Sequence, residues 1–396
     1  MRKTQDGRRL RIAVIANEQT PYRLNLHRRI AREMPEIDLW SLFTHEVASS
    51  PWHYLDDPQI RCVLFGRGQA IREPDTARAF FREWTKGGRI TRWLEEHDIG
   101  AIVLYGYNDV ARLRIVRWAA HKRVPCFLFG DSNLCLERAT GIKALLKRIY
   151  VPWILRQTSA VFHCGKLGRD YFLRYGVAES RLYPFPYEPD YQLFSKPLTP
   201  DSSRRFGLTA GRRRLIFVGR MVTAKRPDLI LTAFERVARE RPEWELVMVG
   251  DGHLRPELQS RYRSRVHWLG FIPDATELAT LYAACDVFVL PSDFEPWGVV
   301  LTEAAAAGLA LVASSIVGSA ADLIQEGVNG MVFPHGDLRS LSDAVFKVTD
   351  PQNVDRMKAA SATVLARWRK GSDPVRNLRR ALQDAGALSH DLVYAG

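Results

Sequence analysis

Short apolar runs recur along the chain, at residues 11–16, 37–43, 99–105, 125–130 and 160–164, and again at 215–218, 245–249, 266–269, 287–290, 310–313 and 331–333. Glycine, proline or small polar residues follow most of them, and their length suits buried strands. Between the runs the apolar positions take on helical spacing, as at Leu24, Leu26, Ile30 and Met34. Strands that alternate with helices predict an α/β chain of parallel sheets joined by crossover helices. The alternation breaks at residues 188–214, which are rich in Pro, Ser and Arg. Two halves follow from that break: residues 1–190, a linker at 191–214, residues 215–352, and a helical closing segment at 353–396.

The length of 396 residues exceeds one typical core and agrees with two domains. Cys62, Cys126, Cys135, Cys164 and Cys285 are odd in number, scattered and without Cys-x-x-Cys spacing. That usage predicts a reducing, cytoplasmic setting and argues against a zinc site. The first residues are polar with no long apolar run behind them, so neither a signal peptide nor a membrane span is expected. Charge is uneven. Residues 1–200 hold 32 Lys and Arg against 21 Asp and Glu, and the remainder holds 25 against 23. A basic first half suits an anionic partner such as the inner face of a membrane or a lipid-linked phosphate. No nucleic-acid module is visible. The stretch from Gly141 to Leu155 mixes Lys143, Lys147 and Arg148 with a broad apolar set. We read it as a core-packing helix with a solvated basic side, kinked at Pro152, in preference to a helix lying on a membrane.

The candidate chemistry is densest at Ser292-Asp-Phe-Glu295-Pro-Trp297-Gly298-Val299-Val-Leu-Thr-Glu303. Glu295 falls on the loop after a buried strand, and Glu303 about two turns into the helix that begins near Gly298. In open α/β sheets, ligands bind at that edge, and a helix N-terminus offers free N–H groups to an anion. Gly219-Arg220, with Lys225 five residues on, ends another strand. Arg forks onto phosphate oxygens, and Lys adds a point charge. Two cations and two hydroxyl-accepting carboxylates suit a polyhydroxylated molecule with a diphosphate at its middle. Glycosidase chemistry by two carboxylates needs no such clamp. Asp293 and Glu295 resemble an Asp-x-Asp metal motif, but the cations already supply the charge, so no metal is expected.

Val218-Gly219-Arg220 with Lys225, Val249-Gly-Asp-Gly252, Gly270-Phe271, Glu295-Pro-Trp297-Gly298 with Glu303, and Gly308 resemble, in order and spacing, the donor domain of the retaining GT-B glycosyltransferases of family 4 (glycosyl transferases group 1), over roughly residues 212–345. The resemblance implies two Rossmann-like, doubly wound domains facing across a cleft. It also implies metal-independent transfer of a sugar from a nucleotide sugar, most commonly a UDP-sugar, by front-face attack. No further cofactor is implied. Arg220 and Lys225 then bind the diphosphate. Glu295, which is also a candidate catalytic residue, and the amides of Gly298 and Val299, at the Trp297 turn, hold the sugar. Glu303 takes the ribose, and Gly270, Phe271 and Ile272 line the base. Gly318-Ser-Ala-Ala-Asp322 resembles the family's Gly-Gly-x-x-Glu element, which shapes the donor loop. The closing helix is expected to return to the first domain, anchored by Trp368.

The first domain departs from the family pattern. Asn17-Glu-Gln-Thr-Pro-Tyr22 lacks the family's glycines, and Asp131-Ser-Asn133 replaces a loop that often carries His. Asp131 is a candidate catalytic residue acting on the acceptor, with a helix cap as its alternative. Glu18, Tyr22, Arg23, Tyr107 and Asn108 are candidate acceptor contacts. The acceptor expected is a lipid-linked glycan, lipopolysaccharide or exopolysaccharide. A soluble small-molecule acceptor, or a nucleotide-sugar-binding subunit without turnover, stays open.

Overall fold

The computed structural model describes residues 9–46, 57–69, 77–107, 109–137, 140–197 and 205–390. The apolar runs form strands. The first sheet contains β1 (Leu10–Ala16), β2 (Ile37–Phe43), β3 (Arg61–Leu64), β4 (Ala101–Tyr105), β5 (Cys126–Gly130), β6 (Ala160–His163) and β7 (Leu182–Pro184). Its order is β3-β2-β1-β4-β5-β6-β7. The second contains β8 (Arg213–Val218), β9 (Trp244–Val249), β10 (Val266–Gly270), β11 (Val287–Leu290), β12 (Ala310–Ser314) and β13 (Gly330–Phe333), in the order β10-β9-β8-β11-β12-β13. Every strand pair is parallel. Both sheets are thus Rossmann-like and doubly wound, and strand order reverses between β1 and β4 and between β8 and β11.

The strands alternate between two cores. On β8, Leu215 and Phe217 enter one apolar cluster, and Ile216 and Val218 enter the other. Helices cover both faces, which is why these strands read as continuous apolar runs. β3 and β7 escaped the sequence reading. They are short edge strands, and β3 is at least partly exposed along its whole length.

The chain divides into two compact units. One holds the described residues up to Cys164, Gly168–Tyr187 and those from Ser372 on; the other holds Gly165–Leu167 and Glu188–Gly371. Inside the segment read as a linker, Tyr191–Phe194 forms a short helix, and Phe194 enters the second unit's core. The closing segment is two helices, Pro351–Ser372 and Pro374–Asp384. Asp373 separates them by accepting from the Arg376 N–H at 2.9 Å, and Pro374 opens the new helix without needing an N–H partner. The last helix belongs to the first unit, where Asn377 donates to the Pro184 carbonyl at 2.8 Å and Arg379 to Glu36 at 2.8 Å.

The helix Gly141–Arg156 corrects the sequence reading. Val151, Ile154 and Leu155 turn into the core, and Tyr150 packs against it. Ile142, Leu145, Leu146, Ile149 and Trp153 lie on the opposite side and are exposed. The apolar set was too broad for one face, and the sheet covers only one. Pro152 sits within the helix, which continues past it to Arg156.

Candidate functional site

The loops after β8 and β11 leave the second sheet side by side at its reversal point. After Val218 the chain runs through Gly219, Arg220 and the buried Met221 into a tight turn, Thr223–Lys225. Gly219 and Met221 are pinned to the β9 loop by N–H bonds to the carbonyls of Val249 (3.0 Å) and Asp251 (2.8 Å). This close approach explains two glycines of the Val249–Gly252 motif. A Cβ on Gly250 would sit 1.9 Å from the Gly219 oxygen, and one on Gly252 2.4 Å from the Met221 oxygen. Arg220 is exposed, and no carboxylate of the described residues pairs with it.

The β11 loop is stitched to that turn. The N–H of Asp293 donates to the Ala224 carbonyl at 2.9 Å, and the Asp293 carboxylate pairs with Arg226 at 3.0 Å. Lys225 Nζ lies 2.5 Å from Glu295 Oε2 and 3.2 Å from the Phe294 carbonyl. Gly298, at φ +92°, turns the chain into the helix Val299–Ala306, whose first N–H groups have no carbonyl behind them. The segment at Gly318 backs this turn. The Ser319 N–H donates to the Trp297 carbonyl at 2.8 Å, and its hydroxyl to the Gly298 carbonyl at 3.2 Å. A Cβ on Gly318 would strike the Pro296 oxygen. The Trp297 ring points into the interior and stacks on Trp368 at 5.7 Å, whose indole N–H donates to Asp322 at 3.2 Å. Trp297 therefore shapes the loop with its ring, and Trp368 sits within the second unit.

Glu303 lies in the second turn of the same helix. It accepts from the Tyr282 hydroxyl at 3.2 Å. Burial pushes the Glu303 carboxyl up to about 7, against the Tyr282 hydrogen bond, which lowers it. The Tyr282 phenol is pushed well up by its own burial and then by Glu303. At the end of β10, Gly270 takes φ +72° and its carbonyl accepts from the Gly250 N–H at 2.7 Å, joining this loop to the same edge. Phe271 beyond it is exposed, while Ile272 packs on the core.

The equivalent edge of the first unit gathers Glu18, Tyr22, Arg23 and Asp131. Arg23 is buried, with the rings of Tyr105, Tyr187 and Tyr22 at 5.4, 5.6 and 5.7 Å. It donates to the Glu18 carbonyl at 2.8 Å and to the Tyr187 hydroxyl at 3.4 Å. Tyr187 reaches the Asp131 carboxylate at 3.5 Å. One turn along the helix Pro21–Glu33, His27 stays neutral, because burial and then the Arg23 charge push it down to about 3. The capping alternative for Asp131 goes instead to Asn133, which accepts from the Cys135 N–H at 2.8 Å. Tyr107 belongs to a different network and bonds to Tyr171 at 2.9 Å and Ser132 at 3.0 Å. Asn108 lies outside the described residues.

Sequence reasoning missed Tyr282, Arg226, Tyr105 and Tyr187. Tyr282, Tyr105 and Tyr187 reach their partners across a stretch of chain, and Arg226 adds the distant Asp293 to its neighbour Asp228; no local spacing marks the distant contacts. Glu295 was found without its partner, since only the adjacency of β8 and β11 brings Lys225 to it.

Residues 212–350 match the family model described as glycosyl transferases group 1. A D-inositol 3-phosphate glycosyltransferase of Thermobispora bispora is 33% identical over 357 residues, covering 85% of this chain and 78% of the relative. An uncharacterized glycosyltransferase of Methanocaldococcus jannaschii is 37% identical over 137 residues, 33% of this chain and 34% of that one. Among solved structures, the sucrose-phosphate synthase from Thermosynechococcus elongatus matches with a TM-score of 0.74 at 18% identity, over 95% of this chain and 100% of that one. Anabaena HepE in complex with UDP and glucose matches at 0.69 and 17%, over 96% and 100%. These two likenesses show the fold, which is that of GT-B proteins.

Proposed function

We propose, on the premise that this chain belongs to the glycosyl transferases group 1 family, that it moves a sugar from a nucleoside-diphosphate donor to a hydroxyl of a lipid-linked glycan, lipopolysaccharide or exopolysaccharide. UDP-sugar is the preferred donor in this reading, in keeping with the UDP in the complex of the HepE structure. One observation carries it: Arg220, Lys225, Glu295, the helix start at Gly298 and Glu303 all stand on the loops and helix at one reversal point of the second sheet.

In this reading the second unit binds the donor. Arg220 forks onto the diphosphate, and the N–H groups at Gly298 and Val299 face its charge. Lys225 shares its charge between the phosphate and Glu295, which accepts sugar hydroxyls. Glu303 takes the ribose, and Phe271 and Ile272 flank the base. The anomeric C–O bond to the β-phosphate breaks as the acceptor oxygen bonds to the anomeric carbon. The acceptor proton passes to the departing phosphate oxygen, so the sugar keeps its configuration. Arg220, Lys225 and the helix dipole stabilise the charge that builds on that phosphate, the task a divalent ion performs elsewhere. In the first unit Asp131, Glu18, Tyr22 and Arg23 form the acceptor edge, with Asp131 orienting the hydroxyl. The reaction takes place in the cytoplasm, at the inner face of its membrane.

The test is nucleoside-diphosphate release from UDP-, GDP- and ADP-sugars by the wild type, Arg220→Ala and Glu303→Ala. Turnover of one donor that both variants lose supports the reading. Thermal stabilisation by one nucleotide without turnover, even with acceptor present, favours a binding subunit. Neither turnover nor stabilisation by any nucleotide overturns the reading.

A further inference from the structure

We propose that the first unit docks on an anionic lipid bilayer through the outward apolar face of the helix Gly141–Arg156. Ile142, Leu145, Leu146, Ile149 and Trp153 are 41 to 77% exposed. Their spacing places them in one stripe along the helix, opposite the buried Val151, Ile154 and Leu155. Contiguous apolar surface of this kind marks an interaction site. The sixteen residues contain no acid. Lys143, Arg148 and Arg156 are exposed beside the stripe, while Lys147 is held by Glu137 at 2.6 Å.

A second apolar cluster stands near the same end of the sheet. Phe80, Phe81 and Trp84, on the helix Ala77–Glu96, are 40 to 67% exposed. The Arg114 guanidinium lies 4.8 Å from the Trp84 ring. The first helix is anchored on the connection after β4, and the second on the helix Val110–Lys122 that the connection leads into. Tyr150 donates to the Tyr107 carbonyl at 2.9 Å, and Gly87 packs so closely on Ala111 that a Cβ would lie 2.9 Å from its Cα.

Charge decides the occupant. Lys143, Arg148 and Arg156 are exposed on this helix with no acid among its sixteen residues, and residues 1–200 as a whole carry 32 cationic and 21 acidic side chains, so a second copy of this surface would be repelled. An anionic bilayer is attracted by the same charge, and it accepts Leu and Ile into its acyl boundary while Trp and Lys stay at headgroup level. Among the described residues no helix is long and apolar enough to cross a membrane, so the contact is at the surface. The inference leans on the lipid-linked acceptor of the proposed function only for the source of the bilayer.

The full-length chain is floated with vesicles of phosphatidylcholine alone, and of phosphatidylcholine with about 30% phosphatidylglycerol, at low and raised salt. The wild type is expected to float with the anionic vesicles and to release as salt rises. Leu145→Glu with Leu146→Glu is expected to weaken flotation by at least about tenfold. Its melting temperature should hold, since both side chains are exposed in the folded chain. Phe81→Glu reads the second cluster separately. Equal flotation of wild type and double variant overturns the proposal. So does an absence of flotation with either vesicle, and so does a concentration-dependent dimer that the double variant abolishes. Nucleoside-diphosphate release, measured on the same samples, reports on glycosyl transfer independently of flotation.

Discussion

Lys225 and Glu295 are 70 positions apart in the chain, and their charged atoms lie 2.5 Å apart. The pair joins the loop after β8 to the loop after β11, and both side chains are largely shielded from solvent. A single cation thus holds the loop together and faces the proposed phosphate. Arg220, exposed and without a carboxylate partner among the described residues, has only the second of these tasks.

The two cations should therefore separate in their effects. Lys225→Ala leaves Glu295 shielded and unpaired, which costs about 1–3 kcal/mol of folding stability. Arg220→Ala should leave stability within about 0.5 kcal/mol. Both should lower turnover by at least about a hundredfold, because both remove charge facing the leaving phosphate. Denaturant melts beside nucleoside-diphosphate release decide it. An active Arg220→Ala enzyme removes Arg220 from the clamp, and an unchanged melt for Lys225→Ala removes the structural task from the pair.

Glu303 makes the site sensitive to pH. Its carboxyl is pushed up to about 7 in the folded chain, chiefly by burial, and the unfolded chain holds it at about 4.3. The folded state therefore binds the proton more tightly. Its stabilising contribution is complete below the unfolded value and is lost as pH rises through about 7. Nucleotide binding should run the other way, because the ionised carboxylate accepts the ribose hydroxyls. Affinity should tighten as pH passes through about 7 and lose that dependence in Glu303→Gln. Tyr282→Phe removes the hydroxyl that lowers Glu303, so the midpoint should move up. Calorimetric titration of a nucleoside diphosphate across this range tests both. A flat profile in the wild type contradicts the ribose assignment.

The placement of the motifs at one edge of the second sheet was legible because a parallel sheet delivers each strand's following loop to that edge, so short local spacings carry positional meaning. The Gly219–Lys225 and Glu295–Glu303 elements are of that kind. The contacts between them were not legible, since the adjacency of β8 and β11 is a property of strand order. The cage around Arg23 draws Tyr105 and Tyr187 from distant segments for the same reason. Helical spacing found the helix at Gly141–Arg156 but did not say which of its two apolar sides the sheet would cover. β3 and β7, short and at the edges, present too few apolar positions to stand out.

Gly250 tests the packing of the motif loops. It takes φ +119°, and a Cβ would stand 1.9 Å from the Gly219 oxygen, a backbone atom that cannot swing aside. Gly250→Ala should lose more than about 3 kcal/mol of stability or fail to fold. Gly211→Ala is the control. It also takes positive φ, at +73°, but a Cβ there meets nothing within 4 Å. Its cost should be about 1 kcal/mol, the backbone cost alone. Equal losses in the two variants would show that conformation, and not the close approach of the β8 and β9 loops, sets the requirement for glycine.

Arg23 distinguishes the proposed acceptor edge from the proposed donor site. Its guanidinium uses separate N–H groups for the Glu18 carbonyl and the Tyr187 hydroxyl while lying among three tyrosine rings. Lysine keeps the charge but lacks the planar fork, so Arg23→Lys should loosen Glu18 and the Tyr187 hydroxyl that reaches Asp131. Transfer to acceptor should then fall about tenfold or more, through groups that donor cleavage does not use. Release of nucleoside diphosphate from donor alone should stay within about twofold, because every proposed donor contact lies in the second unit. The two rates, measured on one preparation whose melt confirms folding, give the answer as a ratio. A parallel fall in both assigns Arg23 to the fold of the first unit, whereas a fall in transfer alone places the acceptor beside it.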